Sequence, residues 1–331
     1  MAGLGTMGRN HLRNLRGRAG IRVVGVADPS LPARAAALVD LPDAHAFEDP
    51  LALLADERLD AMIIAAPTRL HHELTVAALR DGVAVLLEKP LAATVAEGRD
   101  LVHVASSSGG FLQVGHIERF NPAVEALAAR LRDGALTRIH SVKTIREGPL
   151  PERIRDVGVA IDLATHDVDL MCLMVGERPV RAYAEATRSV HTAHEDLLLG
   201  LFAFPGGALG QVDVDWLSPQ KQRKMAVLGP EGLFQIDYLH QSLTFTSWMS
   251  EPSPSFVGGY APTFQGDRVA LPVTKAEPLR RELDAFFGAV RAGHPSPVSA
   301  LDGLWALVLA EALLESAAGG RAVAIDPPEV A

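Results

Sequence analysis

In the run Gly158-Val159-Ala160-Ile161-Asp162-Leu163-Ala164-Thr165-His166-Asp167-Val168-Asp169, an aspartate stands four residues before a histidine, and Asp169 stands three after it. On a helix that spacing puts a carboxylate beside an imidazole. An i,i+4 pair on a solvated face is the bland reading of such a motif. The apolar residues around it, from Val159 to Leu163 and at Val168 and Leu170, predict a buried helix instead. Histidine is the side chain whose proton affinity lies nearest neutral pH, so His166 is the candidate general base. Asp162 would orient its ring or bind a neighbouring hydroxyl. A second charged group, Lys89 in Glu88-Lys89-Pro90, follows an apolar run at 83–87. It is placed to hold a reacting oxygen and stabilise developing alkoxide charge.

The partner chemistry is written at the start of the chain. Gly3-Leu4-Gly5-Thr6-Met7-Gly8 fits the dinucleotide fingerprint. Its first glycine permits a tight turn, its second a close approach of backbone to pyrophosphate, and its third close packing of helix on strand. Residues 9–18 read as the helix whose positive end faces that pyrophosphate. Asp28 closes the apolar run 21–27 and lies where the fingerprint places an acid on the ribose hydroxyls. A carboxylate there repels a 2′-phosphate, which favours NAD over NADP. Gly3, Gly5, Thr6, Met7, Gly8 and Asp28 are therefore the expected cofactor residues. Pro67, Thr68, His71 and Glu88 join them because they follow the next two strands.

Those strands are the apolar runs 60–66 and 83–87, with helices at 71–80 and from the Thr94-Val95-Ala96-Glu97 capping box, and a further short strand at 111–114. Alternating strands and helices predict a parallel, doubly wound sheet with its ligand at the strands' carboxyl ends. One part is short. The fingerprint should follow a strand of about five apolar residues, yet only Met1 and Ala2 precede Gly3. The first strand is therefore expected to be truncated, as in a chain that begins too late. After Gly115 the texture changes. Asn121-Pro122 opens a helix to about residue 132, and runs at 139–145, 197–204, 208–216, 224–228 and 233–238 read as antiparallel strands. The expected division is an NAD-binding Rossmann domain at 1–118 and an α+β domain at 119–331 with a large, mainly antiparallel open sheet.

Composition narrows the class of partner. The chain has 331 residues, 48% of them hydrophobic, which suits two folded domains. Acidic residues outnumber basic ones 40 to 31, so no nucleic-acid surface is expected. Apolar stretches are too short for a membrane span, no signal peptide is evident, and Cys172 is the single cysteine. A cytoplasmic location follows as the expectation. Asp162, His166 and Asp169 also admit reading as metal ligands of a hydrolase, but that leaves the glycine hexad and Asp28 unexplained, and no metal is expected.

The glycine hexad, Glu88-Lys89-Pro90 after a strand, and a glycine four residues before Asp162 with His166 four after it closely resemble the glucose–fructose oxidoreductase and inositol dehydrogenase (Gfo/Idh/MocA) family. The resemblance implies NAD(P)-dependent alcohol oxidation or carbonyl reduction on sugars and cyclitols, and dimers or tetramers formed through the open sheet. A narrower resemblance, to the UDP-N-acetylglucosamine 3-dehydrogenases, is carried by residues 114–122, by Arg155-Asp156-Val157-Gly158-Val159, and by residues 216–224 and 302–307. It implies a UDP-sugar substrate oxidised at its 3-hydroxyl and a pathway aminotransferase as a partner. Arg119, Asn121 and Arg155 then become candidate substrate contacts beside Lys89, Asp162 and His166, with Arg223 weaker. Capping by Asn121 and an ion pair by Arg119 weigh equally. A different sugar or cyclitol, or a non-catalytic NAD-binding sensor, are the competing functions.

Overall fold

The computed structural model describes residues 1–151, 157–191, 193–248 and 266–329. The glycine hexad bends directly into α1 (Thr6–Leu15), three residues earlier than the sequence pattern predicts, with Arg9 N–H already bonded to Gly5 O at 3.0 Å. There follow β1 (Gly25–Ala27), α2 (Leu31–Asp40), β2 (His45–Phe47), α3 (Pro50–Asp56), β3 (Ala61–Ile64), α4 (His71–Arg80), β4 (Ala84–Glu88), α5 (Val95–Ser107) and β5 (Leu112–Gly115). Side chains of Ser30, Asp49 and Thr94 accept from the first turns of α2, α3 and α5. Next come α6 (Pro122–Arg132), β6 (Ser141–Glu147), a π turn (Ala160–Ala164) running into α7 (Thr165–Val175), and β7 (Arg181–Thr187). The strands β8 (Leu197–Ala203), β9 (Leu209–Asp215), β10 (Gln222–Gly229), β11 (Gly232–Asp237), β12 (Ser242–Ser247) and β13 (Arg268–Leu271) continue the chain. It closes with α8 (Pro278–Ala292), α9 (Ala300–Gly319) and β14 (Val323–Ala324).

Two compact units result. The first comprises Met1–Phe120, Glu277–Val308 and Pro327–Ala331, the second Asn121–Ala276 and Leu309–Asp326. The first unit thus extends two residues past 118 and also takes in α8 and the start of α9, which the sequence division at 118/119 assigns to the second. The reason is packing: Leu283 and Phe286 of α8 are fully buried in one cluster with Leu12 and Leu15 of α1.

In the first unit, β1 pairs with β2, and β3, β4 and β5 pair in that order, all parallel. Ala2 bridges both groups, to Ala27 on one side and Ile64 on the other. The full order is therefore β2-β1-Ala2-β3-β4-β5, the 3-2-1-4-5-6 arrangement of a dinucleotide-binding sheet with its middle strand reduced to three residues. Its bonds are regular: Ala2 N–H to Ile63 O at 2.9 Å, Ala27 N–H to Met1 O at 2.8 Å, Ala65 N–H to Ala2 O at 2.8 Å. The apolar run 21–27 forms a strand only at 25–27, where it pairs with β2 on one side and Ala27 pairs with Ala2 on the other.

The Met1 ammonium donates to Gly25 O at 3.0 Å inside this sheet. Burial pushes its pKa down to about 5 from 8.0. For a polypeptide starting at this methionine, the folded form holds fewer protons than the unfolded form between those values. Stability is then full above pH 8 and falls as pH drops toward 5, by up to ~4 kcal/mol. Chemical denaturation followed across that window should show the slope, and an Nα-acetylated chain should lose it.

In the second unit, among the described residues, nine strands form one sheet in the order β13-β12-β11-β10-β6-β9-β8-β7-β14. All neighbouring pairs are antiparallel except β6–β9, which is parallel. Burial alternates along β7 and β8, the signature of a sheet with one covered face. The other face exposes Tyr183, Leu199, Leu201 and Leu209. No helix of the described residues is long and apolar enough to cross a membrane.

Candidate functional site

Two glycines of the cofactor loop, Gly3 and Gly8, tolerate no side chain. Gly3 has φ +88°, and a Cβ there would lie 2.4 Å from Ala65 O. A Cβ on Gly8 would lie 2.0 Å from Gly3 O. At Gly5 the opposite holds: nothing stands within 4 Å of a Cβ position, so the backbone is open to a ligand. Thr6 and Met7 follow at the first turn of α1, which has no side-chain cap. Asp28, half-buried at the end of β1, accepts from Leu4 N–H at 2.7 Å through Oδ2 and from Ser30 N–H at 2.8 Å through Oδ1. That holds its carboxylate beside the loop. An open second glycine, an uncapped helix start and an acid at the end of β1 fit a dinucleotide's pyrophosphate and ribose.

At the carboxyl ends of the next strands, Pro67 is exposed and Thr68 half-buried after β3, while Lys89 is half-buried after β4. His71, in the first turn of α4, is buried with its ring nitrogens 2.8 Å from Pro90 O and 3.0 Å from Ala66 O. Burial pushes its pKa down, against those two bonds and the Glu88 charge. It therefore ties the turn after β3 to the turn after β4. Glu88 also points inward, to His11 Nε2 at 2.7 Å. The sequence reading offered both residues to the cofactor; in the structure their side chains are engaged with His11 and with the carbonyls of Ala66 and Pro90, supporting the loops that carry Pro67, Thr68 and Lys89.

In the second unit the Gly158–Asp169 segment is not a plain α-helix. It starts as a π turn over Ala160–Ala164 and continues as α7. A π turn takes more than four residues and an α turn 3.6, so across the junction position 166 falls almost directly over 162. Both side chains are half-buried. The turn is set by Glu195, whose Oε1 accepts from Ala160 N–H at 3.0 Å. A Cβ on Gly158 would stand 2.1 Å from that oxygen, which explains the glycine four residues ahead of Asp162. Behind α7, Asp167 and Arg146 of β6 form a buried fork, Nε to Oδ2 at 2.8 Å and Nη2 to Oδ1 at 3.2 Å. Sequence reasoning missed Arg146, Glu195 and His11. An arginine inside an otherwise alternating strand was the only available signal for the first.

Three further candidates, Arg119, Asn121 and Arg223, are engaged within the protein. Arg119 pairs with Asp302 through both terminal nitrogens at 3.3 Å, and Asp302 also accepts from Ser299. Asn121 is 2% exposed, caps α6 by accepting from Ala123 N–H at 3.1 Å, and donates to Tyr238 O at 3.2 Å. Capping and ion pairing thus describe these two residues. Arg155 lies outside the described residues, and Arg223 donates to Glu147 O and Gln222 O. Among the described residues, Asp162, His166 and Asp169 do not converge on a common point as metal ligands do.

Comparison with known proteins agrees with this architecture. Residues 1–116 match the family described as "Oxidoreductase family, NAD-binding Rossmann fold", and residues 124–235 match the GFO/IDH/MocA C-terminal domain. The UDP-N-acetylglucosamine 3-dehydrogenase of Acidithiobacillus ferrooxidans is 27% identical over 294 residues, covering 88% of each chain. Its crystal structure superposes with a TM-score of 0.83 at 25% identity over 95% of both chains. Inositol 2-dehydrogenase 2 of Saccharopolyspora erythraea is 29% identical over 334 residues, 98% of this chain and 94% of its own. With both domains matched in order, the chain belongs to the Gfo/Idh/MocA oxidoreductases, a family of NAD-binding sugar and cyclitol dehydrogenases.

Proposed function

We propose that the protein oxidises the 3-hydroxyl of a UDP-sugar, UDP-N-acetylglucosamine foremost, to the 3-keto sugar with NAD as acceptor. The observation that supports the chemistry is the presence of both kinds of group it needs: Lys89 after β4 in the first unit, and Asp162 and His166 on successive turns of the π-to-α junction in the second. A sensor that only binds NAD has no use for them. Gly3, Gly5, Thr6, Met7, Gly8, Asp28, Pro67 and Thr68 would hold the cofactor. When bound, NAD supplies the two-electron acceptor. His166 takes the hydroxyl proton, Asp162 orients its ring or binds the adjacent hydroxyl, and the Lys89 ammonium stabilises charge developing on the oxygen.

The sugar is the finer part of the proposal. Residues 114–122, 216–224 and 302–307 support the UDP-sugar reading, as does the Acidithiobacillus relative. Against it, Arg119, Asn121 and Arg223 are engaged within the protein, which leaves Arg155 as the candidate contact to the diphosphate. The Saccharopolyspora enzyme favours a second reading, oxidation of inositol or another cyclitol. The exposed face bearing Tyr183, Leu199, Leu201 and Leu209 supports a homodimer or homotetramer through the sheet. A cytoplasmic enzyme making a 3-keto sugar would feed an aminotransferase that installs a 3-amino group.

The deciding experiment is NADH formation by the purified protein with NAD and a panel of UDP-N-acetylglucosamine, its uronic acid, UDP-glucose and myo-inositol. Turnover with UDP-N-acetylglucosamine is expected. Turnover with myo-inositol alone would replace the substrate and keep the chemistry.

A further inference from the structure

Directly behind the turn that carries Lys89, ionisable groups from three elements converge in the interior of the first unit. They are His11 of α1, Glu88 at the end of β4 and Glu282 of α8. The His11 and Glu88 side chains are 0% and 11% exposed and 2.7 Å apart. Glu282 is fully buried, and neither of its carboxylate oxygens has a hydrogen-bond partner. One nitrogen or oxygen from each residue lies within 4.8 Å of the others.

Glu282 is an expensive residue in this place. The buried positions around it on α8 are Leu279, Leu283, Phe286 and Ala289, and an aliphatic side chain would pack there without loss. Two carboxylates held this close share one proton rather than ionise together. Burial, then the Glu88 charge, push Glu282 well above the usual carboxylate range, so Glu282 is the neutral partner. Glu88 is flanked from three elements. His11 holds it from α1, Glu282 closes it from α8, and a Cβ on Gly115 of β5 would already stand 3.2 Å from its Oε2. His71 of α4 feels its charge together with that of Lys89.

We propose that His11 and Glu282 are positioning residues of the dehydrogenase reaction: from α1 and α8 they hold the Glu88 carboxylate in the interior, away from the Lys89 ammonium that follows it. The inference rests on Lys89 being the group that meets the substrate oxygen. It assigns a task to two buried polar residues that the reaction itself does not use. Without the His11 donor, the carboxylate is free to shift toward Lys89, the next residue along the chain, and negative charge closer to that ammonium makes the amine more basic.

The test reads Lys89 directly. The full-length protein is labelled with trace acetic anhydride across pH 7–11, and Lys89 acetylation is quantified by mass spectrometry. The pH midpoint for Lys89 is expected to rise by about half a unit or more in His11→Phe and Glu282→Ala. Glu282→Gln, which keeps the shape of the neutral acid, is expected to retain the wild-type midpoint. It should also melt above the wild type, by a margin that widens as pH rises from 5 to 8, because a carboxyl whose folded pKa is raised loses stability over that window. If His11→Phe does not fold, Glu282→Ala decides alone, and the reverse. An unchanged or lowered midpoint in a folded variant overturns the proposal, as does a stoichiometric metal ion whose removal by chelator lowers the melting temperature of wild type but not of Glu282→Gln. Because labelling needs no substrate, its outcome is separate from loss of turnover in Lys89→Ala, which tests the reading it rests on.

Discussion

Lys89→Ala is expected to lower kcat for NADH formation by about a thousandfold, and His166→Ala by about a hundred- to ten-thousandfold, with NAD affinity within about twofold of wild type in both. The two losses have different causes. Removing a proton from an alcohol at neutral pH demands an acceptor in the transition state, and alanine at 166 leaves only water to serve. Removing Lys89 takes away the cation that makes the departing proton's oxygen tolerable as an alkoxide. Neither change should unfold the protein. Lys89 and His166 are half-buried, and the Lys89 turn is held independently by Glu88 on His11 and by His71 on Pro90. Stopped assays for kcat, with calorimetric titration of NAD, separate chemistry from binding. Wild-type turnover in either variant would overturn its assigned role.

What the sequence made legible divides along physical lines. Local signals survived folding. Residues 71–80 and the helix after Asn121-Pro122 form α4 and α6 with the bounds their patterns predict, because caps, proline at N1 and helical periodicity act within one turn. The glycine hexad was legible for the same reason, since Gly3 and Gly8 each answer a clash within the loop or at the facing strand. Partnership at long range was not. Arg119 reads as a phosphate ligand until Asp302, distant in sequence, occupies it. Glu88 reads as a cofactor contact until His11 and Glu282 enclose it. The π turn was equally hidden, for nothing in Ala160–Ala164 departs from ordinary helix composition. Glu195, which accepts from Ala160 N–H at its start, arrives from another part of the chain. The parallel β6–β9 pair likewise depends on strand order, which alternation alone does not encode.

The largest stability loss is expected at Arg146. An exposed arginine–carboxylate pair contributes roughly 0–1 kcal/mol, and truncating one would pass unnoticed. Here the side chains of Arg146 and Asp167 are 4% and 0% exposed, and the guanidinium also lies 5.5 Å from the centre of the Tyr238 ring. Arg146→Ala strands the Asp167 carboxylate in the interior, and breaking a buried pair from one side costs about 3–5 kcal/mol. For a unit of this size the melting temperature should fall by roughly 10 °C. Arg146→Lys should recover only part of it, because an ammonium cannot reproduce the two-pronged fork. The double variant Arg146→Met with Asp167→Leu should recover most, since no charge is then left unpaired. The fork also ties β6 to the first turn of α7, next to His166, so it specifies where the base stands as well as how firmly the unit is folded. The double variant is therefore expected to regain stability without regaining turnover. Differential scanning calorimetry beside NADH assays on the three variants checks both parts. Melting of Arg146→Ala within a degree or two of wild type would mean the fork carries no stability, and full turnover in the double variant would mean it does not place His166.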